Sequence, residues 1–263
     1  MTSPVRPRKW LLRKPGDDAP SRLFCFPYSG LGASMYNRWP DRVGQAEVCR
    51  IQLPGRENRV REEHYGTYEA LAERLVEALE PHLDRPFGFF GHCGGALPAF
   101  ATALALSRGG LPAPDRLFLS SQVAPHHGPY GRYLSLSTAE LAVELEGFVR
   151  ALGGEPNADL IELGLTVMRS DLAANRAYRL EKPVVLPSFV HAIGWGEDRE
   201  IRPGQMGGWA EYARPGRYRH VVFPGGHHTF LHAPEPLMTE LATAMDQALA
   251  PGARPIASER TGR

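Results

Sequence analysis

The sequence predicts an α/β fold, with a parallel central sheet and helices on both faces. Three observations carry this prediction. Short apolar runs alternate with helical patterns, the runs end at Pro or Gly punctuation, and one purely helical stretch interrupts the alternation. Taken in order, Leu23-Phe24-Cys25-Phe26 ends at Pro27 and reads as a buried strand, and residues 48–53 end at Pro54-Gly55 and read as a second. Residues 67–83 set Leu71, Leu75, Ala78, Leu79 and Leu83 at helical spacing, with Glu and Arg between them. Phe87-Gly88-Phe89-Phe90 is a strand that runs into Gly91-His92-Cys93-Gly94-Gly95. Residues 94–108 form a nearly continuous apolar helix, with Pro98 in or near the first turn, where a missing N–H costs little. Residues 117–119, 189–193 and 220–223 supply three more strands, and residues 236–249 a closing helix.

The interruption lies at residues 137–180, which hold two or three helical patterns and no strand. The first opens on the capping-box sequence Ser137-Thr138-Ala139-Glu140. A helical insertion between two strands of an open sheet covers the carboxyl edge where ligands bind, so residues 126–182 are expected to form a lid. The domain expectation is one unit over residues 21–250, with flexible tails at 1–20 and 251–263, where Pro and charged residues mix without periodicity.

Composition narrows the function classes. The 263 residues carry 30 Lys+Arg against 29 Asp+Glu, and a formal net charge of +1 argues against a protein that grips nucleic acid by its phosphates. Apolar residues at 43% and charged residues at 22% match an ordinary globular chain. Three cysteines encode no disulfide framework and fit the reducing cytoplasm. The most apolar stretch, residues 96–106, is shorter than the ~18 residues a membrane span needs. Residues 1–20 lack the apolar core of a secretory signal. No phosphate-cradling loop and no ligand-spaced set of Cys, His and carboxylates stands out, so no metal is expected.

The chemistry gathers at strand ends. Gly91-His92-Cys93-Gly94-Gly95 has the Gly-x-nucleophile-x-Gly form of a nucleophile elbow, with Cys where Ser is usual. A sharp strand-to-helix turn needs small flanking residues, lifts the central side chain off the sheet, and sets it over a helix N-terminus that favours thiolate. Cys25 and Cys49 lie inside apolar strand runs and read as inert core thiols. In elbow enzymes the acid and then the His follow the nucleophile along the chain. Residues 189–193 run into Gly194-Trp195-Gly196-Glu197-Asp198, and residues 221–223 into Pro224-Gly225-Gly226-His227-His228. Asp198 is the acid of choice over Glu197 because it lies further from the strand, and His227 is the base, with His228 as fallback.

Together these residues resemble a type II thioesterase of the α/β-hydrolase fold, the stand-alone enzymes that accompany polyketide and nonribosomal peptide synthetases. Phe26-Pro27-Tyr28-Ser29-Gly30 is similar to the family's Phe-Pro-His-Ala-Gly-Gly, and Asn37-Arg38-Trp39 fits its aromatic position. Leu53-Pro54-Gly55-Arg56-Glu57 resembles its strand-end motif. Met168-Arg169-Ser170-Asp171 with Tyr178 resembles its lid pattern, and Trp209 with Pro-Gly-Gly-His at 224–227 completes the set. The chain departs from the family at Cys93, at Gly94, where a bulky apolar residue is usual, and at Tyr28-Ser29-Gly30-Leu31. The resemblance implies nucleophile, acid and base at Cys93, Asp198 and His227, and oxyanion donors at the backbone N–H of Ser29 and Gly94. It implies no bound cofactor. The substrate is an acyl or aminoacyl thioester on the phosphopantetheine arm of an acyl or peptidyl carrier protein, taken by a monomer. Hydrolysis through an acyl-Cys intermediate is the expected outcome. One alternative is acyl transfer to a second carrier, an amine or a hydroxyl, and another is a catalytically silent carrier-binding module.

Overall fold

The computed structural model describes residues 10–250. Its strands are β1 (Ser21–Phe26), β2 (Arg42–Val43), β3 (Ala46–Arg50), β4 (Phe87–His92), β5 (Arg116–Ser120), β6 (Phe189–Trp195) and β7 (Tyr218–Phe223). They form one sheet in the order β2-β3-β1-β4-β5-β6-β7, antiparallel at β2 and parallel elsewhere. The helices are α1 (Tyr68–Leu79), α2 (Ala96–Arg108), α3 (Thr138–Ala151), α4 (Ala158–Ala177) and α5 (Glu235–Gln247).

The period of two in β1 divides the core. Phe24 and Phe26 pack with Leu71, Leu75 and Phe100 of α1 and α2, while Leu23 and Cys25 face Leu237, Leu241 and Met245 of α5. Every residue of β1, β4 and β5 is buried, which is why these strands read as unbroken apolar runs. Helix α1 starts where Thr67 accepts the Ala70 N–H at 3.2 Å, and it stops short of the expected residue 83. Pro81 cannot continue it, so the chain tightens into a 3-10 turn at Glu80–His82. The two-residue strand β2 carries too short a run to show a period and was invisible in the sequence.

The expected tail at 1–20 needs correction over its second half. Trp10 is buried in the core, its carbonyl accepts Gln52 N–H at 2.8 Å, and Leu11 bridges Ile51. The Arg59 and Arg74 guanidinium groups lie 4.2 and 5.3 Å from the Trp10 ring centre. One Trp among Pro and Arg has no periodicity, yet its area alone anchors a segment. The remaining tail residues, 1–9 and 251–263, lie outside the described residues.

Helices α3 and α4 fill the interruption between β5 and β6. The Ser137 capping box forms, with Glu140 Oε2 accepting Ser137 N–H at 2.7 Å and Ser137 Oγ accepting Glu140 N–H at 3.3 Å. Their inward residues Leu141, Leu145, Phe148, Met168 and Leu172 join Tyr28 in one apolar cluster. In register, His92 pairs with Ser120, Ser120 with Ile193, and Trp195 with Phe223. The carboxyl ends of β4, β5, β6 and β7 therefore come level, and the loops that follow them meet at one edge.

Candidate active site

The turn after β4 is strained as an elbow must be. Cys93 adopts φ 47°, a left-handed conformation that L residues other than Gly rarely take. The chain crosses itself so closely that a Cβ at Gly91 would lie 2.1 Å from the Gly95 carbonyl oxygen. Beside it, a Cβ at Gly94 would lie 1.9 Å from Ser29 Oγ and 3.0 Å from Ser29 N. Ser29 and Gly94, which the family resemblance pairs as oxyanion donors, thus lie side by side, and the Ser29 hydroxymethyl fills the space a larger residue at 94 would need. Cys93 is partly exposed, whereas Cys25 and Cys49 are buried. Burial pushes the Cys25 thiol well up and the Cys49 thiol up to about 12.

The loops after β6 and β7 bring Asp198 and His227 together. Asp198 Oδ2 accepts His227 Nδ1–H at 2.9 Å and the Ser121 hydroxyl at 2.7 Å. Asp198 Oδ1 accepts the N–H groups of Glu200 at 2.8 Å and Ile201 at 3.1 Å. Burial works against its charge, but the His227 and Ser121 hydrogen bonds hold the carboxyl below its usual range. Burial also opposes protonation of His227, yet the adjacent Cys93 sulfur and the Asp198 carboxylate overcome it and push the imidazole up to about 10. His228 does the reverse: burial and the charge on His227 push it down to about 4. Of each adjacent pair left open by the sequence, Asp198 and His227 are the members in contact.

Three residues at the site carried no sequence signal strong enough to single out their contacts. Ser121 follows β5 with φ 45° and turns its hydroxyl onto Asp198; a polar pair closing an apolar strand was the available clue. Tyr28 is buried and its hydroxyl lies 3.2 Å from His227 Nε2. Asp171 of α4 ties the lid to the sheet edge, with Arg56 donating to both its oxygens at 2.8 Å. The same carboxylate accepts Gly30 N–H at 2.8 Å, His64 Nε2–H at 2.7 Å and the Tyr65 hydroxyl at 2.6 Å. Tyr28, Ser29, Cys93, Gly94, Gln122 and Leu172 are among the residues that enclose a cavity of about 20 Å³, room for about one water.

Away from this edge, His126, His127 and Glu211 bring one ligand atom each within 4.8 Å of one another, a grouping the sequence spacing did not reveal. His126 is already engaged by Glu211 at 3.2 Å and Tyr212 at 3.0 Å. Among the described residues, no helix is long and apolar enough to cross a membrane.

Comparison with known proteins bears on the whole chain. It is 33% identical to the linear gramicidin dehydrogenase LgrE of Brevibacillus parabrevis, over 96% of this chain and 98% of that one. The word dehydrogenase belongs to that protein's name. The gramicidin S biosynthesis protein GrsT of Aneurinibacillus migulanus is 28% identical over 95% of this chain and 99% of its own. Among solved structures, the RedJ thioesterase from the prodiginine pathway of Streptomyces coelicolor superposes with a TM-score of 0.72 at 35% identity, covering 92% of this chain and 91% of that one. Such neighbours share the α/β-hydrolase fold seen here. The family model for the thioesterase domain matches residues 21–246, and the chain belongs to that family.

Proposed function

We propose that this thioesterase takes an acyl or aminoacyl group from the phosphopantetheine thiol of a carrier protein onto Cys93, and releases it to water. The observation that carries the proposal is the approach of His227, oriented by Asp198, to a cysteine held in a strained elbow. Relatives named for gramicidin and prodiginine biosynthesis support carrier proteins of peptide or polyketide assembly as partners. Three unpaired thiols fit a reducing cytoplasm.

Cys93 and His227 act as a pair, His227 Nε2 taking the thiol proton as the sulfur attacks while Asp198 holds Nδ1–H. The thiolate attacks the thioester carbonyl, and the N–H groups of Ser29 and Gly94 stabilise the oxyanion; such a donor is worth about 10²–10³ in rate. Collapse breaks the bond to pantetheine sulfur, which leaves with the proton from His227 Nε2. Neutral His227 then takes a proton from water as the water attacks acyl-Cys93. The second collapse frees the acid and restores the Cys93–His227 pair.

Transfer is the second reading, and Cys93 itself favours it. A thioester exchanged for a thioester is nearly level in energy, so a second pantetheine thiol, an amine or a hydroxyl can take the group. A silent binding module is opposed by the intact Asp198–His227 pair. Mass spectrometry after mixing with an acyl thioester should find the adduct on Cys93; its absence would support the silent module. Loading one carrier with a labelled acyl group and adding an unloaded second carrier separates the other two. Label recovered as free acid supports hydrolysis, and label reaching the second carrier first supports transfer.

A further inference from the structure

The pathway of the proton at His227 Nε2 decides what can leave the acyl-enzyme, and that nitrogen already has a neighbour. Asp198 holds Nδ1–H, so in the neutral imidazole Nε2 is the acceptor. The Tyr28 hydroxyl lies 3.2 Å from it and, being a phenol, can only satisfy that lone pair by donating. We propose that Tyr28 is a positioning residue that caps His227 Nε2 in the acyl-enzyme, slowing attack by water while leaving transfer to a thiol nearly untouched. This rests on the acyl-Cys93 reading above.

The Tyr28 hydroxyl is fixed from several sides. The ring is buried and packs against Phe148 of the lid helix α3 at 4.9 Å between centroids. Its hydroxyl also meets that of Tyr133, which donates to Glu144 of α3 at 2.9 Å. Burial and the Cys93 sulfur keep the phenol protonated, raising it well above its ordinary value. Before acylation the phenol O–H also has the Cys93 sulfur as a hydrogen-bond partner. Once the sulfur is acylated and Nε2 has given its proton to the departing thiol, the phenol O–H turns onto the vacated lone pair.

The two acceptors feel that cap unequally. Water, with a pKa near 15.7, must lose a proton to a base as it attacks. An alkyl thiol with a pKa near 8.5 is about 3% thiolate at pH 7 without any base. Capping the base therefore obstructs hydrolysis and spares thioester exchange. Tyr28 and Cys93 both line the free space of about 20 Å³ beside the nucleophile, so the phenol stands at the edge of the space open to an attacking water.

The test isolates acyl-Cys93 after one turnover of radiolabelled acetyl-pantetheine, then chases it with buffer alone or with millimolar pantetheine. In the native protein, millimolar pantetheine should take a measurable share of the label, the rest appearing as acetate. Tyr28→Phe should raise the acetate rate about tenfold and change the pantetheine rate less than threefold. Tyr133→Phe, which removes the neighbouring hydroxyl, should leave acetate release within threefold of native. Label that leaves only as acetate whatever the pantetheine concentration, in the native protein, which needs no variant to fold, would overturn the proposal. So would acetate release unchanged or slowed in Tyr28→Phe, or accelerated equally in Tyr133→Phe. If no label is ever found on Cys93, the acyl-Cys reading itself fails and takes this inference with it. If the adduct forms but its partition ignores Tyr28, only this inference fails.

Discussion

Replacing Asp171 with Asn should cost more than any other single-atom change in the lid. The substitution keeps the shape and removes the charge, leaving Arg56, 4% exposed, buried without its counter-ion. Breaking a buried pair in this way typically costs about 3–5 kcal/mol. For a domain of this size each kcal/mol lowers Tm by about 2–4 °C, so the melting point should fall by about 6–20 °C. The sign of the pH dependence is fixed by the carboxyl. Burial opposes its ionisation, but Arg56 and His64 hold it well below the usual carboxylate range. Its contribution is therefore complete above the ordinary carboxylate pKa of about 4 and fades only as pH falls below that. Melting curves of native and Asp171→Asn protein should stay apart from pH 8 to pH 5 and converge in stronger acid. Activity should fall too, measured at a temperature where both are folded, because Asp171 also holds Gly30 N–H at 2.8 Å beside Ser29. A Tm drop under 3 °C at pH 7, or curves that merge above pH 5, would refute the argument.

Cys93→Ala should abolish adduct formation, and His227→Ala or Asp198→Ala should slow acylation by about 10²–10⁴. Iodoacetamide should reach Cys93 while Cys25 and Cys49 stay unlabelled in the folded protein, and activity lost with Cys93 still free would defeat the assignment. Ser121→Ala withdraws one charge-assisted hydrogen bond from Asp198 and should slow acylation about tenfold, with Tm nearly unchanged if the hydroxyl serves orientation. Leu172→Trp, on the inward face of α4, should lower kcat/KM for carrier-bound thioesters more than for small soluble ones. Equal losses on both substrates would remove the case for a gate at the lid.

How far the sequence could be read depended on how far apart the interacting residues stand. The buried strands and α2 announce themselves locally, because a run covered on both faces must be apolar throughout. The elbow does too, since a Cβ at Gly91 would lie 2.1 Å from the Gly95 carbonyl oxygen and one at Gly95 would lie 2.7 Å from the Phe26 carbonyl oxygen. Adjacent candidates were another matter. Asp198 and Glu197 differ by one position, and the choice turns on amides at 200 and 201 that only the folded loop aims at Oδ1. Tyr28 meets His227 across 199 residues, and Arg56 meets Asp171 across 115. No local pattern encodes such pairs. Trp10 shows the opposite failure, a residue whose area matters more than its unpromising neighbours.

Three consecutive residues join these contacts into one device. Tyr28 touches the imidazole, Ser29 abuts Gly94 beside the nucleophile, and Gly30 is tied to Asp171 of the lid. Gly30 takes φ 78°, and a Cβ there would lie 3.0 Å from Met168, so the turn that links lid to sheet is itself pressed against α4. A shift of α4 large enough to admit an acyl chain into so small a cavity must pull on Asp171, and through Gly30 on the loop that carries Ser29 and Tyr28.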